Sequence, residues 1–279
     1  MKLLDEITIE DIYVKRRIPV LEETQSLSTL LKQMVKYNVS TTLIKGGDGI
    51  LGFISIKNLA KFLIENIWEL NIVINKLAIG DINILCERHV IFKPYDNIKD
   101  AIRYILTNKD SMLFKLDNKY YEVTPEDMIG LYLLWEDEFN NKPIETIMQK
   151  HLVKVPPNQS LVSTFNKYYE VGLDSAIITS IENRPVGIVT NTDYVYSYEE
   201  IASKILEIKP DKDVKLTIDT IMSNPVIFEF NDTPSSDALA KIVENDIGHL
   251  PIVNKNEELI GMIYKYNILE ELVRIDETT

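Results

Sequence analysis

The chain has 279 residues, 45% hydrophobic and 26% charged, a globular balance that excludes a disordered, collagen-like or low-complexity protein. That length suits two domains better than one core. With 43 acids against 30 bases the net charge is −13, so general nucleic-acid binding and membrane-surface binding are not expected.

In chain order, one arrangement of elements recurs four times. The first copy reads as a strand at Ile18–Leu21, a turn, and an amphipathic helix on Leu27, Leu30, Leu31, Met34 and Val35. A strand at Thr42–Ile44, a polar turn, and a third strand entering a second helix (GFISIKNLAKFL) complete it. The second copy has Val90–Phe92, a helix on Ile98, Ala101, Ile102, Ile105 and Leu106, then Met112–Leu116 and YEVTPEDMIGLYL. The third has Leu152–Val155, a helix on Leu161, Thr164, Phe165, Tyr168 and Tyr169, then Ala176–Ile178 and GIVTNTDYVYSY. The fourth has Val226–Phe230, a helix on Ser235, Ala238, Leu239, Ile242 and Val243, then Leu250–Val253 and GMIYKYNILEEL.

The residues ending the third strands, Ser55, Thr124, Thr190 and Tyr264, recur at a period near ~70. That period suits a β-α-β-β-α module too small to be comfortable alone, so the modules are expected to pair. The fold class is α/β. The polar stretch Trp135–Pro143 divides the chain into units 1–139 and 140–279, and Lys209–Lys215 separates the last two copies. Trp68 and Trp135 are expected to be packing anchors, and the acidic run Trp135–Phe139 a solvated helix end and linker.

The third strands end in a hydroxyl, two residues and an acid: Thr124 with Asp127, and Thr190 with Asp193. The other copies have Ser55 with Asn58 and Tyr264 with Asn267. Such a pattern caps a helix, and Pro125 at the first helical position fits that reading. It also suits a second task. Gly187, three residues before Thr190, allows a close approach to the backbone, and strand ends form ligand crevices in α/β folds. A hydroxyl and a carboxylate side by side there suit the vicinal diol of a ribose, from which the carboxylate accepts two charge-assisted hydrogen bonds.

This organisation resembles tandem CBS domains, which pair into Bateman modules. The resemblance covers roughly residues 9–66, 77–135, 142–199 and 216–274, and GIVTNTDYV is its strongest segment. Four copies in this order look like the regulatory gamma subunit of AMP-activated protein kinase. The resemblance implies four β-α-β-β-α repeats in two Bateman modules. It also implies an adenosine-containing ligand, most simply AMP, ADP or ATP, held as a regulatory ligand and not as a cofactor. One site would place the ribose on Thr190 and Asp193, the base near Val226, Ile227 and Ile247, and phosphate near His249. The other would use Thr124 and Asp127, with Ile18 and Val39 around the base and Arg16 or Arg17 at the phosphate. Asn58, Asn267 and Tyr264 depart from the pattern, so the two sites they belong to are expected to be empty or specialised; Tyr121 stands where the family has glycine.

Two other readings remain open: S-adenosylmethionine or methylthioadenosine on the same fold, or a ligand-free protein–protein scaffold. No Cys/His or Ser/His/Asp constellation and no Walker loop is visible, so no catalytic activity is expected. Cys86 is alone, and His89, His151 and His249 lack metal-ligand spacing. Acids stand where a secretory leader needs an apolar run, which points to a cytoplasmic protein. The regulated partner is expected to be a separate protein or a second copy in a homodimer.

Overall fold

The computed structural model describes residues 3–12, 16–47, 49–67, 74–85, 90–140, 142–207 and 216–278. Trp68, Cys86, His89 and the stretch 209–215 lie outside the described residues. The described residues form four separate three-stranded sheets: β1-β2-β3, β4-β5-β6, β7-β8-β9 and β10-β11-β12. The strands are Val20–Glu22, Thr41–Gly46 and Gly49–Ser55; Ile91–Phe92, Met112–Leu116 and Lys119–Val123; Lys154–Val155, Ser175–Thr179 and Pro185–Thr190; Glu229–Phe230, His249–Val253 and Leu259–Tyr264. In each sheet the first strand runs parallel to the second and the third returns antiparallel. A parallel pair needs a crossover, and the first helix of each repeat provides it.

Those helices span Leu27–Tyr37, Ile98–Asn108, Leu161–Glu170 and Ser235–Glu244. Ser26, Asn97 and Ser160 cap the first three through their side chains. The first four positions of every expected stripe are buried, as in Leu27, Leu30, Leu31 and Met34. The fifth is not: Val35 and Val243 are exposed. Eight residues at 3.6 per turn leave the fifth position about 80° from the first, at the rim of the buried face. The opening strands are shorter than their apolar runs.

A sheet covered by helices on one face must bury the other. In repeats one and two, Ile18, Val39, Leu43, Phe53 and Leu113 pack between the two sheets. In repeats three and four, Ile177, Leu259, Met262 and Tyr264 do so. The helices pack across the other way. Helices of repeats one and three share a core built around Leu59, Leu63, Phe165, Tyr168 and Tyr194. Helices of repeats two and four share one around Ile102, Met128, Leu239, Ile268 and Leu272. Each repeat thus has one neighbour through its sheet and another through its helices, which closes a ring of four. The acidic run is not the free linker its charges suggest. Glu136–Asn140 is a short helix whose acids face solvent while Phe139, like Trp135, is buried in the second helical core.

Repeats three and four exchange matching segments. Ile188 and Ser223 exchange two backbone hydrogen bonds, and so do Met262 and Gln149. The segment carrying Met222 and Ser223 precedes β10, and that carrying Met148 and Gln149 precedes β7. A glycine receives each. A Cβ on Gly187 would lie 2.6 Å from Met222 Sδ and 3.3 Å from the Ser223 carbonyl; on Gly261 it would lie 2.5 Å from Met148 Sδ. The group that Gly187 admits is therefore a segment of the chain itself. Gly187→Ala is expected to cost about 1–3 kcal/mol in urea unfolding. Combined with Met222→Ala it should cost less than the sum of the two single changes, and strict additivity would contradict the packing assignment.

Candidate functional site

The four repeats meet around one cavity of about 510 Å³. Two structural positions of each repeat build its wall. The first is the turn leaving the first helix: Asn38 to Ser40, Lys109 to Ser111, Gly172 to Asp174, and Asp246 to His249. One residue in each turn has positive φ, namely Asn38, Lys109, Gly172 and Asp246. The second is the start of the second helix, at Lys57, Glu126, Asn191 to Asp193, and Lys265 to Asn267.

Both hydroxyl–acid motifs form capping boxes. Thr190 Oγ1 accepts from the Asp193 N–H at 3.4 Å, and Asp193 Oδ2 accepts from the Thr190 N–H and Oγ1, both at 2.7 Å. Capping uses Oδ2. Asp193 Oδ1 accepts from the hydroxyl of Ser223, an exposed residue, at 2.7 Å. Asp127 is in another condition. Its Oδ2 accepts from the Thr124 N–H and hydroxyl, and Arg16 grips both oxygens, at 2.9 and 2.7 Å. Arg16 also donates to Thr124 Oγ1 at 3.3 Å. Burial pushes Asp127 up, outweighing the Thr124 N–H and Arg16, which pull it down.

The other sequence-identified residues divide. Val39, Ile247 and His249 line the cavity with Thr124, Thr190 and Asp193. Ile18 is buried between the first two sheets, and Ile227 packs against the second helical core. Val226 is half-buried and, like Ile227, is not part of the wall. Arg17 is exposed, bridged through its backbone to Tyr121, and it is Arg16 that reaches the cavity. Alternation explains this: Arg16 shares the face of buried Ile18, and Arg17 takes the opposite one. Gly187 lies beneath the wall, against Met222.

Sequence reading missed the acids that face the cavity's basic side chains. His249 Nε2 lies 2.9 Å from Asp174 Oδ1, Lys265 Nζ 2.8 Å from Glu126 Oε1, and Lys109 Nζ 3.2 Å from Glu270. Lys57 has no ion-pair partner among the described residues. Burial opposes ionisation of Asp174, yet His249 and Lys265 hold it well below the usual carboxylate range. Burial likewise opposes ionisation of Glu126, and Lys265 brings it below its ordinary value. Tyr264, in place of a small hydroxyl, packs edge-on against His249 with ring centroids 5.3 Å apart.

Glu122 is the buried acid of the wall, 1% exposed. It accepts from the Ser40 N–H at 3.0 Å and from the Ser40 hydroxyl, which also bonds Ser111 at 2.7 Å. Burial pushes it up to about 7, against the downward pull of Ser40 and Arg16.

The CBS domain family profile matches residues 9–65, 144–200 and 218–274. The fold is shared with protein MJ1225 from Methanocaldococcus jannaschii, described as a candidate archaeal homolog of g-AMPK. That structure has a TM-score of 0.75 and 20% identity, over 95% of this chain and 99% of that one. A conserved protein from Pyrococcus horikoshii has a TM-score of 0.58 and 17% identity, over 95% and 100%. Protein MK0525 of Methanopyrus kandleri is 29% identical over 124 residues, 44% of this chain, and the chain spans 59% of that relative's length. Among the described residues no helix is long and apolar enough to cross a membrane.

A carboxyl group whose folded value exceeds its ordinary 4.5 favours the folded state when protonated. Stability from Glu122 is thus fully present below about 4.5 and lost as pH rises through about 7. Glu122→Gln cannot ionise, so thermal melts should show the variant gaining on the parent between pH 5 and pH 8. A parent–variant difference that is flat across that range would contradict the assignment.

Proposed function

The chain belongs to the CBS domain family, whose members are generally regulatory and not catalytic, and from this premise we propose a ligand-sensing regulatory protein that takes an adenosine-containing small molecule in the central cavity. One observation carries the reading. Asp193 keeps Oδ2 for its helix cap and presents Oδ1 at the cavity to a single exposed hydroxyl, that of Ser223. A ribose diol can take the place of that hydroxyl and leave the cap intact. Asp127 offers no such opening, because Arg16 occupies both of its oxygens. The reading therefore assigns the ribose to Thr190 and Asp193, with Ile188 and Ile247 as apolar walls for the base. The volume is within the range of ~300–1,000 Å³ of small-molecule sites.

Among adenine nucleotides, AMP suits this wall better than ADP or ATP, since Arg16, Lys109 and Lys265 already face carboxylates and the His249 ring faces a fourth. The same pairing favours a second reading, an adenosine with an uncharged or cationic 5′ group, such as methylthioadenosine or S-adenosylmethionine. In either case occupancy would pass to a separate protein or to a second copy of the chain, with units 1–139 and 140–279 as the two halves that respond.

Asp193→Ala separates ligand binding from capping. The ribose assignment predicts a loss of about 10–100-fold in calorimetric affinity for adenosine or AMP. Capping alone predicts a stability loss of ~0.5–2 kcal/mol and an unchanged affinity. A variant that binds as tightly as the parent overturns the assignment.

A further inference from the structure

The cavity holds basic side chains suited to a phosphoryl group, yet the chain has already given them carboxylate partners. Glu126 and Lys265 come from repeats two and four, and their 2.8 Å pair joins the two sheet-paired halves across the cavity. Asp174 and His249 come from repeats three and four, and Asp174 also lies in the field of Lys265. The four groups form one network in which two carboxylates face a lysine and an imidazole, all partly buried. Its seat is shaped for it. A Cβ on Gly248 would lie 2.6 Å from Glu126 Oε1 and 3.0 Å from Lys265 Cδ, so the pair packs directly against that turn and a side chain there would make it shift.

We infer that Glu126 and Asp174 act as tethered counter-anions that determine specificity: they occupy Lys265 and His249 in place of a ligand phosphate, so that an anionic ligand must displace them and, in doing so, releases the Glu126 link between the halves. This rests on the adenosine reading for its natural ligand. An uncharged ligand leaves the network closed. A phosphorylated one exchanges one anion for another at Lys265 and His249, which makes its net gain in affinity small. That small gain is coupled to the loss of a contact between repeats two and four, so the two ligand classes would leave the protein in different states.

The parent chain should bind AMP within about fivefold of adenosine, the remainder being what one half-buried lysine, Lys57, can supply. Glu126→Gln and Asp174→Asn should each raise AMP affinity relative to adenosine about tenfold or more, because a charge-assisted bond to phosphate becomes available without an exchange. Inorganic phosphate, which needs no nucleoside site, should raise the melting temperature of either variant and not of the parent. In the unaltered chain, AMP and not adenosine should speed hydrogen exchange in residues 124–129. AMP affinity far above adenosine in the parent, unchanged ratios in both variants, or no phosphate response in either would overturn the inference. If phosphate stabilises the variants while no adenosine ligand binds any form, the counter-anion role stands and the adenosine reading fails. If adenosine binds through Asp193 with ratios that the variants do not change, the reverse holds.

Discussion

A three-stranded sheet with helices on one side leaves its other face bare, and that constraint organises the whole molecule. None of the four repeats can bury both faces by itself, so the sheets of repeats one and two meet through Ile18, Leu43 and Phe53, and those of three and four through Ile177 and Met262. The helices face the same difficulty. Their outer sides are closed by repeat one packing on three, and two on four. Once both demands are met the ring is closed, and the same turn from every repeat arrives at one place. The cavity is a consequence of how apolar faces are covered.

Its chemistry follows from what those turns and helix starts carry. Because equivalent positions converge, one substitution per repeat changes the wall in four places. Repeat three brings a carboxylate with one oxygen lightly held; repeat two brings the same motif clamped by Arg16. Repeat four brings Tyr264, Lys265 and Asn267 where repeat three has Thr190, Asn191 and Asp193. A motif formed twice with the same capping geometry therefore offers a ligand two different surfaces, and the difference lies in the groups opposite the motif.

Much of the fold was legible because it is local. Apolar spacing located all four first helices, three of which the structure caps with Ser26, Asn97 and Ser160. Non-local partners were not legible. Nothing near Thr124 announces that Arg16, 108 residues earlier, reaches its hydroxyl, or that Glu126 meets Lys265. Parity alone could have chosen Arg16 over Arg17, since Ile18 already marked the inward face. The exposed ends of the helical stripes and the buried Phe139 show the other limit: a pattern names a face, and tertiary packing decides how far that face extends.

The central claim is that the cavity takes an adenosine-containing ligand against Asp193. A crystal structure of the chain grown with AMP or adenosine tests it most directly. The account predicts a ribose within hydrogen-bond distance of Asp193 Oδ1, the Ser223 hydroxyl displaced, and the capping bonds to Oδ2 unchanged. A ligand seated on Asp127 and Arg16 with the Ser223 bond intact, or an empty cavity at saturating ligand, would contradict it.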